Sequence, residues 1–180
     1  TIKGNFNMKA YPTNPVEYIK RWRISSIFRY IQTHPDMDHM DGLKNLANSK
    51  LIINFWDTTN TKEQSFDEYG NCGRYKKEDW DCYQRLRKSE YNPKSLTFYD
   101  GTTAKYFAED DNGALSDDYL KILSPTKELI KAAEAAGDWN DSSYVILYCI
   151  QGRKLLFCGD AGMGTISHLL EHHKDDIANI

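Results

Sequence analysis

Two runs of β-branched and aromatic residues, "SSIFRYIQ" (Ser25 to Gln32) and "KLIINFW" (Lys50 to Trp56), bracket a polar loop and one short amphipathic stretch. Such runs read as strands. In the "DGLKNLANS" between them, Leu43, Leu46 and Ala47 share one helical face, and Asn48 and Ser49 end it. The order strand, loop, helix, strand is the building unit of an α/β fold, and it limits this chain more than any other feature. Chemistry gathers in the loop. "THPDMDHMDG", Thr33 to Gly42, crowds two histidines and three aspartates around Pro35 at the exit of the first strand.

The flanking segments extend the pattern. Pro15 followed by Val16, Tyr18, Ile19 and Trp22 predicts a short amphipathic helix. From Asp57 to about Leu96 the sequence turns polar and aromatic, which reads as an insertion carrying one helix near Lys77 to Lys88. "AKYFAEDDNGALSDDYLKIL" reads as strand, turn and strand about Asn112-Gly113, and its "EDDNG" lacks the acidic positions of a calcium loop. "SPTKELIKAAEAAG" predicts a helix with Ser124 as N-cap, Pro125 at the first position, Glu128 as capping-box partner and Gly137 at the end. "SSYVILYCI" and "KLLFCGD" form a hairpin around Gln151-Gly152, with the second strand ending on Asp160; "TISHLLEHHKDDIANI" closes as a helix.

Length and composition bound the function. A chain of 180 residues with 40% hydrophobic and 27% charged residues suits one globular domain and argues against disorder or a fibrous fold. The net charge of −3 gives no long-range attraction to nucleic acid or an acidic membrane, so any affinity for phosphate is local. No apolar run reaches the roughly 20 residues of a membrane span, and the N-terminal segment lacks a leader pattern. Cys72, Cys82, Cys149 and Cys158 show no zinc-finger spacing; Cys149 and Cys158 read as buried thiols, and a Cys72–Cys82 bridge stays open. The expected setting is reducing and cytoplasmic, with an extracytoplasmic domain of a larger protein as the alternative.

A strand running out through His34, Asp36, Asp38 and His39 places imidazoles and carboxylates around one point. Carboxylates so crowded repel unless a cation lies among them, and these are the ligands of zinc, manganese and iron. Pro35 stiffens the turn, and Gly42 lets the backbone approach closely at the following helix.

The stretch resembles the His-x-His-x-Asp-His signature of the metallo-β-lactamase-fold hydrolases, with Asp36 in place of the second His, as in the ComEC-like variant that reads His-Pro-Asp-x-Asp-His-x-x-Gly. The later "NDSSYVILYCIQGRKLLFCGDAG" is similar to the same group's Asn-x-x-Ser strand and its following strand ending in Gly-Asp. The resemblance implies an αββα sandwich with two divalent metal ions, zinc first and manganese or iron behind it. His34 and Asp36 would hold one, Asp38 and His39 the other, and Asp160 would bridge them. Asn140 or Asp141 stands where the family places a further ligand, although such a pair before a strand reads first as an Asx turn, and the family's final His has no counterpart before Ile180. By the same comparison, the fold looks truncated at both ends. Asp38 is the candidate catalytic residue, orienting a metal-activated water.

The functional expectation is a metal-dependent hydrolase of phosphodiesters, with nucleic acid or a nucleotide as substrate. Hydrolysis of small esters, thioesters or lactams is the alternative, and a non-catalytic binding or sensing module that keeps the fold is the rival of another class. Two further clusters read as ordinary surface. His168, His172 and His173 lie opposite Ile166, Leu169 and Leu170 on a helix, which puts them in solvent. Arg74, Tyr75, Lys76, Lys77, Trp80, Tyr83, Arg85, Arg87 and Lys88 could stack and pair with single-stranded nucleic acid, but the interleaved acids favour a solvated helix with a packed aromatic side.

Overall fold

The computed structural model describes residues 14–108, 116–178 and 180, and over these the chain is mixed α/β. Helix α1, Pro15–Arg21, begins at Asn14, whose side-chain oxygen accepts from the N–H groups of Val16 and Glu17. Of its expected apolar face only Val16 is buried; Tyr18 and Trp22 face solvent, because a two-turn helix offers a neighbour little more than one position. Strand β1, Ser26–Ile31, leads through the His/Asp loop into α2, Leu43–Ser49, and back along β2, Leu51–Trp56, which pairs with β1 in parallel (Ile27 opposite Ile52, Tyr30 opposite Phe55).

Residues 57–96 hold more than a surface excursion. A small hairpin of β3, Asn71–Cys72, and β4, Tyr75–Lys76, precedes α3, Lys77–Arg87, and the segment ends in β5, Lys94–Leu96, which adds to β2 in parallel. The expected insertion is therefore a second helical crossover of the same sheet, ordered β1-β2-β5. Trp80 and Tyr83 of α3 are buried against it and Arg87 is engaged inward, so the aromatic side of that helix packs rather than binds bases.

The remaining described strands make an antiparallel sheet, β6-β7-β8. Strand β6, Tyr119–Ser124, is followed by α4, Lys127–Ala136, whose N-cap is Thr126, accepting from the Leu129 N–H at 3.1 Å. Ser124 does not cap: the ring of Pro125 holds the residue before it in extended conformation, and Ser124 stays in the strand, fully buried. Gly137, at φ +67°, ends the helix as expected. Strands β7, Val145–Ile150, and β8, Arg153–Phe157, meet at Gln151-Gly152, both with positive φ. Strand β8 stops at Phe157 rather than Asp160, because Gly159 at φ +55° turns the chain. The closing helix is broken at His173 into α5, Met163–His172, and α6, Lys174–Ile177. Ala104–Phe107 is a turn instead of a strand, and the Asn112-Gly113 and "EDDNG" positions lie outside the described residues.

Three apolar clusters hold the elements together. Phe55, Ile52, Tyr30 and Ile27 meet Leu43, Trp80, Tyr83 and Leu86 between the parallel sheet and helices α2 and α3. On the sheet's other side Trp56, Ile31 and Leu96 meet Leu120, Ile122, Tyr144 and Ile146 of the antiparallel sheet. Beyond that sheet, Leu123, Val145, Leu147 and Leu156 pack on Leu169 and Ile177 of α5 and α6. Strand β7 shows the cause in its period of two: Ile146 and Tyr148 point to the sheet neighbour, Val145 and Leu147 to the helices. All four cysteines are free thiols, Cys82 and Cys149 buried, Cys72 and Cys158 half-buried. Among the described residues no helix is long and apolar enough to cross a membrane.

Candidate metal centre

The loop after β1 is held before its ligands are considered. Gln32 extends the parallel pairing by donating its N–H to the Trp56 carbonyl. Its buried amide then donates to the carbonyls of His34, at 2.8 Å, and His39, at 3.2 Å, closing the loop on itself. Met37 and Met40 plug into the helix-side core on either side of a 3-10 turn, Met37–His39. Gly42, at φ +85°, starts α2; no atom crowds its missing side chain, so the left-handed backbone is the reason for glycine there. Asp79 of α3 accepts from the Gly42 and Lys44 N–H groups and caps α2 from across the core.

Within this frame His34 is completely buried. The hydroxyls of Thr33 and Ser143 both lie 3.2 Å from its Nδ1, while its Nε2 is buried and has no hydrogen-bond partner among the described residues. The same Thr33 hydroxyl stands 3.3 Å from Nδ1 of His39, so one side chain orients two imidazoles. Fixing Nδ1 by hydrogen bonds and leaving Nε2 free is how metal-ligating histidines are prepared.

Asp160 arrives from the other sheet. The Tyr144 N–H donates to the Thr33 carbonyl at 2.9 Å and fastens the start of β7 to the loop. At Gly159 a Cβ would lie 3.0 Å from the Thr33 side chain and 3.1 Å from the Ser143 hydroxyl. Only glycine lets the turn after β8 come this close, and it sets Asp160 Oδ2 3.1 Å from His39 Nε2. Ligand atoms of His34, His39 and Asp160 thus lie within 4.8 Å of one another.

The other sequence candidates divide. Asp36 Oδ2 is 3.7 Å from His34 Nε2, beyond hydrogen-bond reach, and its Oδ1 pairs with Lys62. Proximity to His34 and the Lys62 ammonium, against partial burial, hold the Asp36 carboxyl down at about 2. Asp38, half exposed, stands 3.9 Å from His39 Nε2. Asp141 is not turned to the centre. Its carboxylate accepts from the Thr165 N–H at 2.7 Å and the Gly164 N–H at 3.1 Å, capping α5, and a Cβ at Gly162 or Gly164 would collide with it. Asn140 lies in the 3-10 turn Asn140–Ser142, its N–H donating to Asp138 Oδ1 at 3.1 Å.

Sequence reasoning missed Lys62, Thr33 and Ser143, for which no spacing rule gives a signal; each arrives through tertiary contact. It also misplaced two histidines. His168 and His173 are mostly buried and face Asp100, whereas His172 is exposed as expected. The buried side of α5 runs through Thr165, His168 and Leu169 while Ile166 and Leu170 face solvent, and the break after α5 brings His173 to the same carboxylate.

The donor set suits a divalent transition metal: two imidazole nitrogens and a carboxylate, one nitrogen orphaned in the interior, with two more carboxylates alongside. No protein-family model and no curated protein matches this chain.

Proposed function

We propose that the chain is a metal-dependent hydrolase of the metallo-β-lactamase type, with His34, His39 and Asp160 as its primary ligands. The buried, unpartnered Nε2 of His34, aimed toward His39 and Asp160, carries the reading. The three core layers, helices on a sheet, sheet on sheet and sheet on helices, support an αββα sandwich, with the site at the strand ends where both sheets deliver loops. Asp36 and Asp38 are the carboxylates for a second position; the ion pair between Asp36 and Lys62 favours filling the first position before it.

A divalent cation bound there supplies a water of lowered pKa and polarises a phosphoryl or acyl oxygen. The chain's own groups do the rest. Asp38, exposed at the rim, is placed to orient the attacking water and accept its proton. Thr33 and Ser143 keep the imidazoles from rotating. Lys62, only partly exposed, brings a positive charge to the edge of a carboxylate-rich site, which suits an anionic phosphodiester better than a neutral ester.

The test is turnover of bis(p-nitrophenyl) phosphate by the chain supplied with zinc or manganese. Turnover in the parent, lost in Asp38→Asn with the metal of the His34, His39 and Asp160 position retained, is expected. Equal turnover in parent and variant would remove Asp38 from the mechanism, and none in the parent would remove the phosphodiester.

A further inference from the structure

A second cluster lies outside the centre just described. Asp100 sits in the turn after β5, fixed by its N–H donating to the Pro125 carbonyl at 2.9 Å. His168 and His173, from the C-terminal half of α5 and the break that ends it, reach it from the opposite side. His168 Nε2 is 3.0 Å from Asp100 Oδ2 and His173 Nε2 is 2.9 Å from Asp100 Oδ1. The donor atoms of all three residues fall within 4.8 Å of one another.

One detail separates this from a pair of ordinary hydrogen bonds. His173 Nε2 and Asp100 Oδ1 are both buried and, although only 2.9 Å apart, neither makes a hydrogen bond among the described residues. The other ring nitrogen, Nδ1, lies 3.2 Å from Asp176 Oδ2; in the tautomer that carries its hydrogen on Nδ1, that hydrogen donates to Asp176 and Nε2 has a lone pair. In that tautomer a lone pair and a carboxylate oxygen stand this close with no hydrogen between them, and they repel unless a cation touches both. Two donors on one cation, with bonds of about 2.1 Å and angles of 90–110°, stand roughly 3.0–3.4 Å apart, which is close to the spacing found. Asp176 then takes the place of the carboxylate that backs a metal-bound histidine.

We propose that Asp100, His168 and His173 form a second divalent-metal site, of the zinc class, that clips α5 and α6 to the turn between the two sheets. Three protein ligands leave a position for water. The cluster shares no residue with the group of His34, His39 and Asp160, so the two sites stand or fall separately.

The experiment is zinc titration of the chelator-stripped 180-residue chain, with stoichiometry read by mass spectrometry of the bound metal and hydrogen exchange read over residues 163–177. The parent should bind one equivalent more than His168→Gln/His173→Gln, and zinc should slow exchange in this segment in the parent alone. His34→Ala should keep that equivalent. Should the double variant fail to show the parent's far-UV circular dichroism, Asp100→Asn replaces it and should lower affinity at this site at least tenfold. An unchanged stoichiometry and unchanged exchange in a folded variant would overturn the proposal and leave Asp100 as a plain hydrogen-bonding partner of two imidazoles.

Discussion

At the scale of single residues the centre depends on side chains that would touch no metal. Thr33 is the clearest, because one hydroxyl lies against Nδ1 of both His34 and His39. Thr33→Val keeps the shape and removes that contact, and should lower zinc affinity about 10–100-fold, whereas Thr33→Ser should hold close to the parent value. Competition with a chromogenic chelator measures both. Equal loss in the two variants would mean that the methyl packing, not the hydroxyl, matters. That His34 and His39 would lie together was legible in the sequence because they sit five residues apart in one loop at a strand exit. Thr33's double role was not, since it depends on how a 3-10 turn folds His39 back over the strand end.

At the scale of elements, the site is assembled by helix caps that come from elsewhere in the chain. Asp79 of α3 caps α2, and Asp141 before β7 caps α5. The sequence offered Asp141 as a metal ligand; the structure employs it at a helix N-terminus, where a carboxylate is favourable both as acceptor and by charge. Asp141→Ala should therefore cost about 1–2 kcal/mol in urea denaturation and leave metal stoichiometry unchanged. A lost equivalent with unaltered stability would return Asp141 to the ligand set. Periodicity and turn chemistry revealed most elements, among them α2, the β7–β8 hairpin and the end of α4 at Gly137. They failed at β5, whose three residues carry no pattern of their own, and at β8, where one positive φ at Gly159 ends the strand.

At the scale of the whole molecule, the layers meet over a buried ionic network. The Asp57 carboxylate at the end of β2 takes the Arg87 guanidinium at 2.8 Å and the Tyr83 hydroxyl at 2.8 Å, and Tyr144 donates to the Asp57 carbonyl. Burial pushes the Asp57 carboxyl up to about 6, against the pull of Arg87, Tyr83 and the Thr58 N–H. A carboxyl with a folded pKa above its unfolded value binds its proton more tightly when folded. Its stabilising contribution is then complete below about pH 4 and is lost as the pH rises through 6. The urea midpoint of the parent, measured relative to Asp57→Asn, should fall between pH 4 and pH 7; a rise would show that Arg87 outweighs burial. The β-branched and aromatic runs of β1, β2 and β7 made these strands foreseeable, but the contact of His168 with a carboxylate 68 residues away could not be read from any local pattern. The proposed hydrolase depends on the centre of His34, His39 and Asp160. Its most direct test is the zinc retained after dialysis by His168→Gln/His173→Gln, with and without His34→Ala and Asp160→Ala added. At least one equivalent in the first form and none in the second is the predicted result, and the same metal content in both would contradict it.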